Sequence, residues 1–170
     1  MVAEGAKPLV LERLRADHAD ALLAFERENR AYFARTITDR GDAYFAEFAA
    51  RLRALLDEQD AGLCHFHLVF TDEGTLSGRV NLVDVADGCA ELGYRIGERA
   101  AGRGMATAAV AEVCRRAAGE YGLVALTAGT HRDNGASRTV LTRNGFIAVE
   151  DTTVNGRPAL RYRRELTVPG

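Results

Sequence analysis

The stretch AAGRGMATAAV, Ala100–Val110, sets two glycines around an arginine ahead of a run of small helix formers. A loop of this kind can cradle a phosphate or serve as an ordinary turn into a helix. Two phosphate templates fail on it. A nucleotide-binding P-loop needs Lys and Ser/Thr after its second glycine, and here Arg103-Gly104 follow Gly102. The dinucleotide pattern G-x-G-x-x-G fits Gly102 and Gly104 but meets Thr107 at its third glycine, with no opening parallel βαβ unit. A third geometry remains: a strand end, a glycine turn, and a helix whose first N–H groups lack internal partners. Taken alone, the loop suits that anion site and a plain turn equally well.

Its flanks define the surrounding fold. Downstream, GMATAAVAEVCRRAAGEYG is alanine-rich and free of proline, so a helix is expected to end near Gly122. Upstream, LCHFHLVF (63–70), LSGRVNLVDV (76–85) and CAELGYRIG (89–97) are separated by the turns TDEGT and Asp87-Gly88, and predict three antiparallel strands. PLVLERLR (8–15) alternates as a half-buried strand. Asp17 is placed to cap a first helix over HADALLAFEREN. Asp42 is placed to cap a second, with Phe45, Phe48, Leu52, Leu55 and Leu56 as one apolar stripe. LVALTAGT (123–130) hardly alternates and predicts a strand buried on both faces. DNGASRTVLTRNG predicts a short helix closed by Asn144-Gly145, and FIAVED another strand. Asn155-Gly156 predicts a hairpin returning through ALRYRREL. The whole, residues 1–170, reads as one α/β (α+β) domain: a mixed, mostly antiparallel sheet of about seven strands with about four helices. The helix after Gly104 lies where it can cross over between two parallel strands.

Composition narrows the partners. The 170 residues carry a net charge of -2 with 47% hydrophobic and 27% charged side chains, the balance of a globular protein. Nothing in that charge points to nucleic acid. Three separated cysteines without a C-x-x-C pattern suit a reduced compartment, and no apolar run reaches membrane-spanning length. The expectation is a cytoplasmic protein. His65 and His67 share a strand face, but no third ligand has suitable spacing, so no metal site is expected.

ELGYRIGERAAGRGMATAAV followed by NGASRTVLTRNGF resembles the GNAT superfamily of acetyl-CoA-dependent N-acetyltransferases, within it the branch acting on N-terminal amines of ribosomal proteins. The specific match covers about residues 90–146. The family loop falls on Ala101, Gly102, Arg103, Gly104, Met105 and Ala106, with Thr107 next; Ala101 stands where Gln or Arg is usual. The resemblance implies that main-chain N–H groups of this loop hold the pyrophosphate of coenzyme A. It also implies that the backbone of Tyr94, Arg95 and Ile96 bonds the pantetheine arm. Arg103 is expected to add charge, and Asn134 with Ser137 to contact the cofactor.

Acetyl transfer to an amine needs a neutral amine, a polarised thioester carbonyl and a proton for the departing thiolate. It needs no covalent enzyme intermediate. Many relatives supply the proton from a tyrosine at the position held here by Leu141, which cannot donate. Ser137, matching a serine of the ribosomal-protein branch, is therefore the expected acid, and Glu91 the expected base. Glu28, Asn29, Arg30, Tyr32 and Phe33, with Glu26, lie where this fold shapes its acceptor pocket. The acceptor is expected to be a protein N-terminus. The alternatives are a small amine (amino acid, polyamine or aminoglycoside-like compound) or a non-catalytic acyl-CoA-binding sensor. A homodimer burying an exposed C-terminal strand is a further expectation.

Overall fold

A computed structural model of the chain describes residues 9–167. Seven strands form one sheet in the order β1-β2-β3-β4-β5-β7-β6. They are β1 (Leu9–Arg13), β2 (His65–Thr71), β3 (Leu76–Ala86), β4 (Cys89–Ile96), β5 (Ala125–His131), β6 (Ile147–Val154) and β7 (Arg157–Glu165). Every neighbouring pair is antiparallel except β4 and β5. That exception follows from the helix α5 (Met105–Gly119), which carries the chain from one strand end back to the start of the next.

Alternation along the strands feeds two cores, one on each face. On one face Val80, Leu82, Ala90, Leu92 and Leu126 pack against Ala109, Val110, Val113 and Ala117 of α5 and Leu141 of α6 (Gly135–Arg143). Alanines on that stripe of α5 let its backbone lie close to the sheet, and full burial of each valine contributes roughly 1.5–3 kcal/mol. On the other face Phe66 and Leu68 meet Leu22 and Phe25 of α1 (Ala19–Glu28) and Phe33 of α2 (Arg30–Phe33). Tyr44 of α3 (Asp42–Ala46) and Phe48 and Leu52 of α4 (Phe48–Asp60) complete that core.

Several expectations are corrected here. Six α-helices replace the four expected, because both N-terminal helices break. The α3–α4 break falls at Glu47, whose φ of -105° and ψ of 19° leave the helical region. The expected stripe is divided by it: Phe48 and Leu52 are buried, while Phe45, Leu55 and Leu56 are half-buried. Asp17 does not cap α1; it sits inside a 3₁₀ turn (Ala16–His18) and pairs with Arg15 at 3.0 Å. Asp42 is the first residue of α3, with Gly41 at the cap. The C-terminal strand β7 is also not an edge. It lies between β5 and β6, so the edge on that side is β6, with Ile147 and Val149 exposed on it. The Asn155-Gly156 turn is as expected, with φ of 53° and 76° as a two-residue hairpin of this kind requires.

Candidate active site

β4 and β5 pair at three positions, Cys89 with Ala125, Ala90 with Leu126 and Glu91 with Thr127. No further β4–β5 partners occur among the described residues, although β3 holds β4 in register as far as Ile96. One side of β4 thus stays paired to its end while the other parts from its neighbour. A cleft of about 1120 Å³ opens there. Its walls are residues 92–96 of β4, 128–131 of β5, the first turns of α5 and α6, and residues 32–38 beyond α1. Because α5 and α6 lie on one face of the sheet and residues 32–38 on the other, the cleft joins the two faces.

The quoted loop forms one end of the cleft. After a 3₁₀ turn at Glu98–Ala100, Gly102 and Gly104 adopt φ of 74° and 76°, and α5 starts at Met105. None of the N–H groups from Gly102 to Thr107 donates to another main-chain group among the described residues. Main-chain donors left free at the N-terminus of a helix of 15 residues are a setting that favours an anion. Nothing lies within 4 Å of a Cβ built on either glycine, so a ligand has room against the backbone. Ala101, Met105, Ala106 and Thr107 line the cleft; Arg103 is exposed and does not.

At the facing wall, Asn134 caps α6, its Oδ1 accepting from the Ser137 N–H at 3.1 Å. Asn134, Ser137 and Tyr94 all line the cleft. Burial pushes the Tyr94 phenol above its ordinary value, and the Ser137 hydroxyl beside it pulls it partly back. Asn144, which the sequence marked only as a helix stop, donates through Nδ2 to Thr107 O at 3.2 Å and Val140 O at 2.9 Å. It thereby ties the end of α6 to the first turn of α5.

A sequence model of the GNAT acetyltransferase domain matches residues 8–147. The chain belongs to the GNAT acetyltransferase family. No curated protein matches it by sequence. Among solved structures it is similar to the ribosomal-protein-S5-alanine acetyltransferase of Vibrio fischeri, at 18% identity and a TM-score of 0.86, covering 97% of both chains. It is also similar to RimJ of Mycobacterium smegmatis in complex with CoA-disulfide, at 20% identity and a TM-score of 0.84, covering 95% of this chain and 83% of that one. A spermidine N-acetyltransferase of Vibrio cholerae, in complex with CoA and spermine, shares 15% identity with a TM-score of 0.78, covering 94% and 96%.

The structure redistributes the residues expected to shape an acceptor pocket. Tyr32 and Phe33 line it, joined by residues 34–38. Glu28, Asn29 and Arg30 do not. Glu28 pairs with Arg99 at 2.7 Å, and Arg30 with Asp39 and Asp42, each at 2.8 Å. Asn29 is buried, donating to Phe25 O at 3.0 Å and accepting from the Glu98 N–H at 2.9 Å, and so pins the approach to the glycine loop onto α1. Glu91 marks the apex where the strands part, half-buried and outside the lining. Alternation puts it with Gly93 and Arg95 on the α1–α4 face.

The two histidines of β2 belong to a separate packing unit. His65 stacks on Tyr121 at 3.8 Å, and the fully buried His67 ring meets Tyr121 Oη at 2.6 Å and Val80 O at 3.1 Å. Glu26 is likewise buried, with Arg79 at 2.6 Å, Arg40 at 3.0 Å and Arg95 at 3.6 Å. Charge pattern along α1 offered no sign of this cluster, because its arginines lie on other elements.

Proposed function

We propose that this chain transfers the acetyl group of acetyl-CoA directly to a primary amine, the α-amine of a protein N-terminus. The observation that carries the reading is the parted β4 edge opening into the same cleft as the N–H cradle. A thioester ligand with a diphosphate at one end and an amide-rich arm at the other matches both. The main chain of Gly102 to Thr107, following Ala101, holds the diphosphate. The free edge of Tyr94, Arg95 and Ile96 bonds the arm as a strand partner would. Asn134, with Oδ1 engaged in its cap, has Nδ2 left for the arm.

Acetyl-CoA supplies an activated acyl group; the chain supplies position and protons. Main-chain donors at the strand gap polarise the carbonyl. Ser137, beside Tyr94, protonates the departing thiolate. Glu91 takes the ammonium proton through water, since its side chain stands back from the cleft. An α-amine titrates near 8, against about 10.4 for lysine, so it needs only modest help from a base at neutral pH. That difference favours an N-terminus over a lysine side chain.

The test is CoA release over a panel of peptides with different first residues and free amines including spermidine, with mass spectrometry locating the acetyl group. Acetyl on the peptide α-amine supports the proposal. Tight acetyl-CoA binding without turnover on any amine would leave an acyl-CoA-binding domain, and absence of CoA binding would overturn both.

A further inference from the structure

Glu26, in α1, is 1% exposed and is the single carboxylate among three guanidinium groups. Arg79 is 4% exposed and touches Glu26 at 2.6 Å, yet its Nε has no hydrogen-bond partner. Arg40 takes the other carboxylate oxygen at 3.0 Å. Nearby Asp39 and Asp42 do not relieve the excess, because Arg30 engages both. Arg95 comes last. Its Nη1 lies 3.6 Å from Glu26, beyond hydrogen-bond range, and its guanidinium sits 5.0 Å over the Phe33 ring.

The position of Arg95 brings this imbalance to the cleft. It is 17% exposed at the side chain, lines both the cleft and the small pocket it shares with Glu26, Asp39 and Arg40, and follows Gly93 on the same face of β4. A Cβ on Gly93 would meet nothing within 4 Å, so the strand face between Glu91 and Arg95 is open. Burial, and then the charge of Arg40, bring the Arg95 guanidinium down to about 10 despite Glu26, with Arg79 adding to the effect. A cation so crowded by cations gains more than an isolated one from an incoming anion.

We infer that the acceptor carries a carboxylate one to three residues from its reacting amine, and that this group docks on the Arg95 guanidinium. The inference rests on the acetyl-transfer reading above. The spacing follows from the strand: from the gap that opens at Leu92 to Arg95 is roughly 10 Å, three residues of extended chain. An acidic side chain at the second or third position of a protein N-terminus fits, as does the free α-carboxylate of a very short peptide. A polyamine, cationic along its length, is repelled.

The experiment measures kcat/KM at saturating acetyl-CoA for the amidated peptides Ser-Glu-Ala-Ala and Ser-Ala-Glu-Ala, their Gln and Lys counterparts, and Ser-Ala-Ala as free acid and as amide. The expected result is a preference of about tenfold for Glu over Gln, with Lys below both. The ratio is expected to fall towards one in Arg95→Gln and to persist in Arg95→Lys, with far-UV circular dichroism and thermal melting showing both variants folded. A preference confined to the free acid identifies the α-carboxylate as the anion and also upholds the docking site. Equal rates for Glu, Gln and Lys peptides with no free-acid preference, or an anion preference unchanged in Arg95→Gln, overturn it. If CoA binds but no acceptor turns over, the transfer reading fails separately. The same peptides titrated calorimetrically onto CoA-saturated protein then decide: Glu-over-Gln binding lost in Arg95→Gln upholds the site, and equal binding overturns it.

Discussion

Glu91 and Thr127 are the last partners β4 and β5 share; one residue further, Leu92 and Ala128 face each other across the cleft. The parallel pair is therefore a fork in the sheet, held together at one end by ladder bonds and apart at the other. Both the proposed donor site and the proposed acceptor site meet at this apex.

Gly104 holds φ at 76°, where a β-branched residue is strongly disfavoured. Gly104→Val is expected to weaken CoA binding at least about tenfold, as the N–H cradle distorts by the equivalent of about 1–2 kcal/mol of local strain. Calorimetry with CoA checks this, with a thermal melt to show the fold intact. Unchanged affinity would mean that the diphosphate sits elsewhere.

Ser137→Ala is expected to lower kcat by about 100-fold while the KM for acetyl-CoA stays within about threefold, the signature of a group acting in the transition state. Tyr94→Phe removes the phenol beside it and is expected to have a smaller effect on kcat. Equal turnover in wild type and Ser137→Ala would take the hydroxyl out of the chemistry.

Glu91→Gln is expected to depress kcat/KM most below about pH 7, where an α-amine is mainly protonated, and little at pH 9, where solvent has already deprotonated it. A loss independent of pH would assign Glu91 a structural part instead.

His67 is buried, and desolvation lowers it to about 4 from an ordinary 6.5. The folded state holds the ring neutral, so its contribution is intact above pH 6.5 and is lost as pH falls towards 4. The loss amounts to about 3 kcal/mol over that window. Urea unfolding of wild type between pH 7 and 4, set against His67→Gln, measures it. Parallel pH profiles would show that other groups govern acid unfolding.

Asn29→Ala removes two hydrogen bonds inside the protein, one of them to the Glu98 N–H. Leaving that donor unpaired is expected to cost about 1–3 kcal/mol. It should also weaken CoA binding, since Glu98 opens the turn into the glycine loop. Denaturant unfolding and CoA calorimetry on one preparation separate the two effects; normal CoA affinity would show that the loop holds its shape unaided.

Locally encoded features were legible from residues alone. Strand-forming runs separated by turn sequences marked the hairpin strands, and the glycines at 102, 104 and 156 marked backbone that needs positive φ. Capping was less legible, because Asp17 and Asp42 have close competitors: Arg15 claims one carboxylate and Arg30 the other. Among the acceptor candidates, Tyr32 and Phe33 reach the cleft while Glu28, Asn29 and Arg30 turn to Arg99, the Glu98 N–H and Asp39. Those partners lie on other segments, so spacing along α1 carried no trace of them.

By itself the sequence determined the succession of strands, the glycine loop at the head of α5 and the family, because φ preference, hydrophobic period and motif spacing are properties of neighbouring residues. Tertiary structure alone decided that β4 parts from β5 after Glu91 and that β7 lies inside the sheet. It also decided that Arg79, 53 residues from Glu26, joins Arg40 and Arg95 around one buried carboxylate. Those outcomes depend on where whole elements pack, which no pattern of neighbouring residues records.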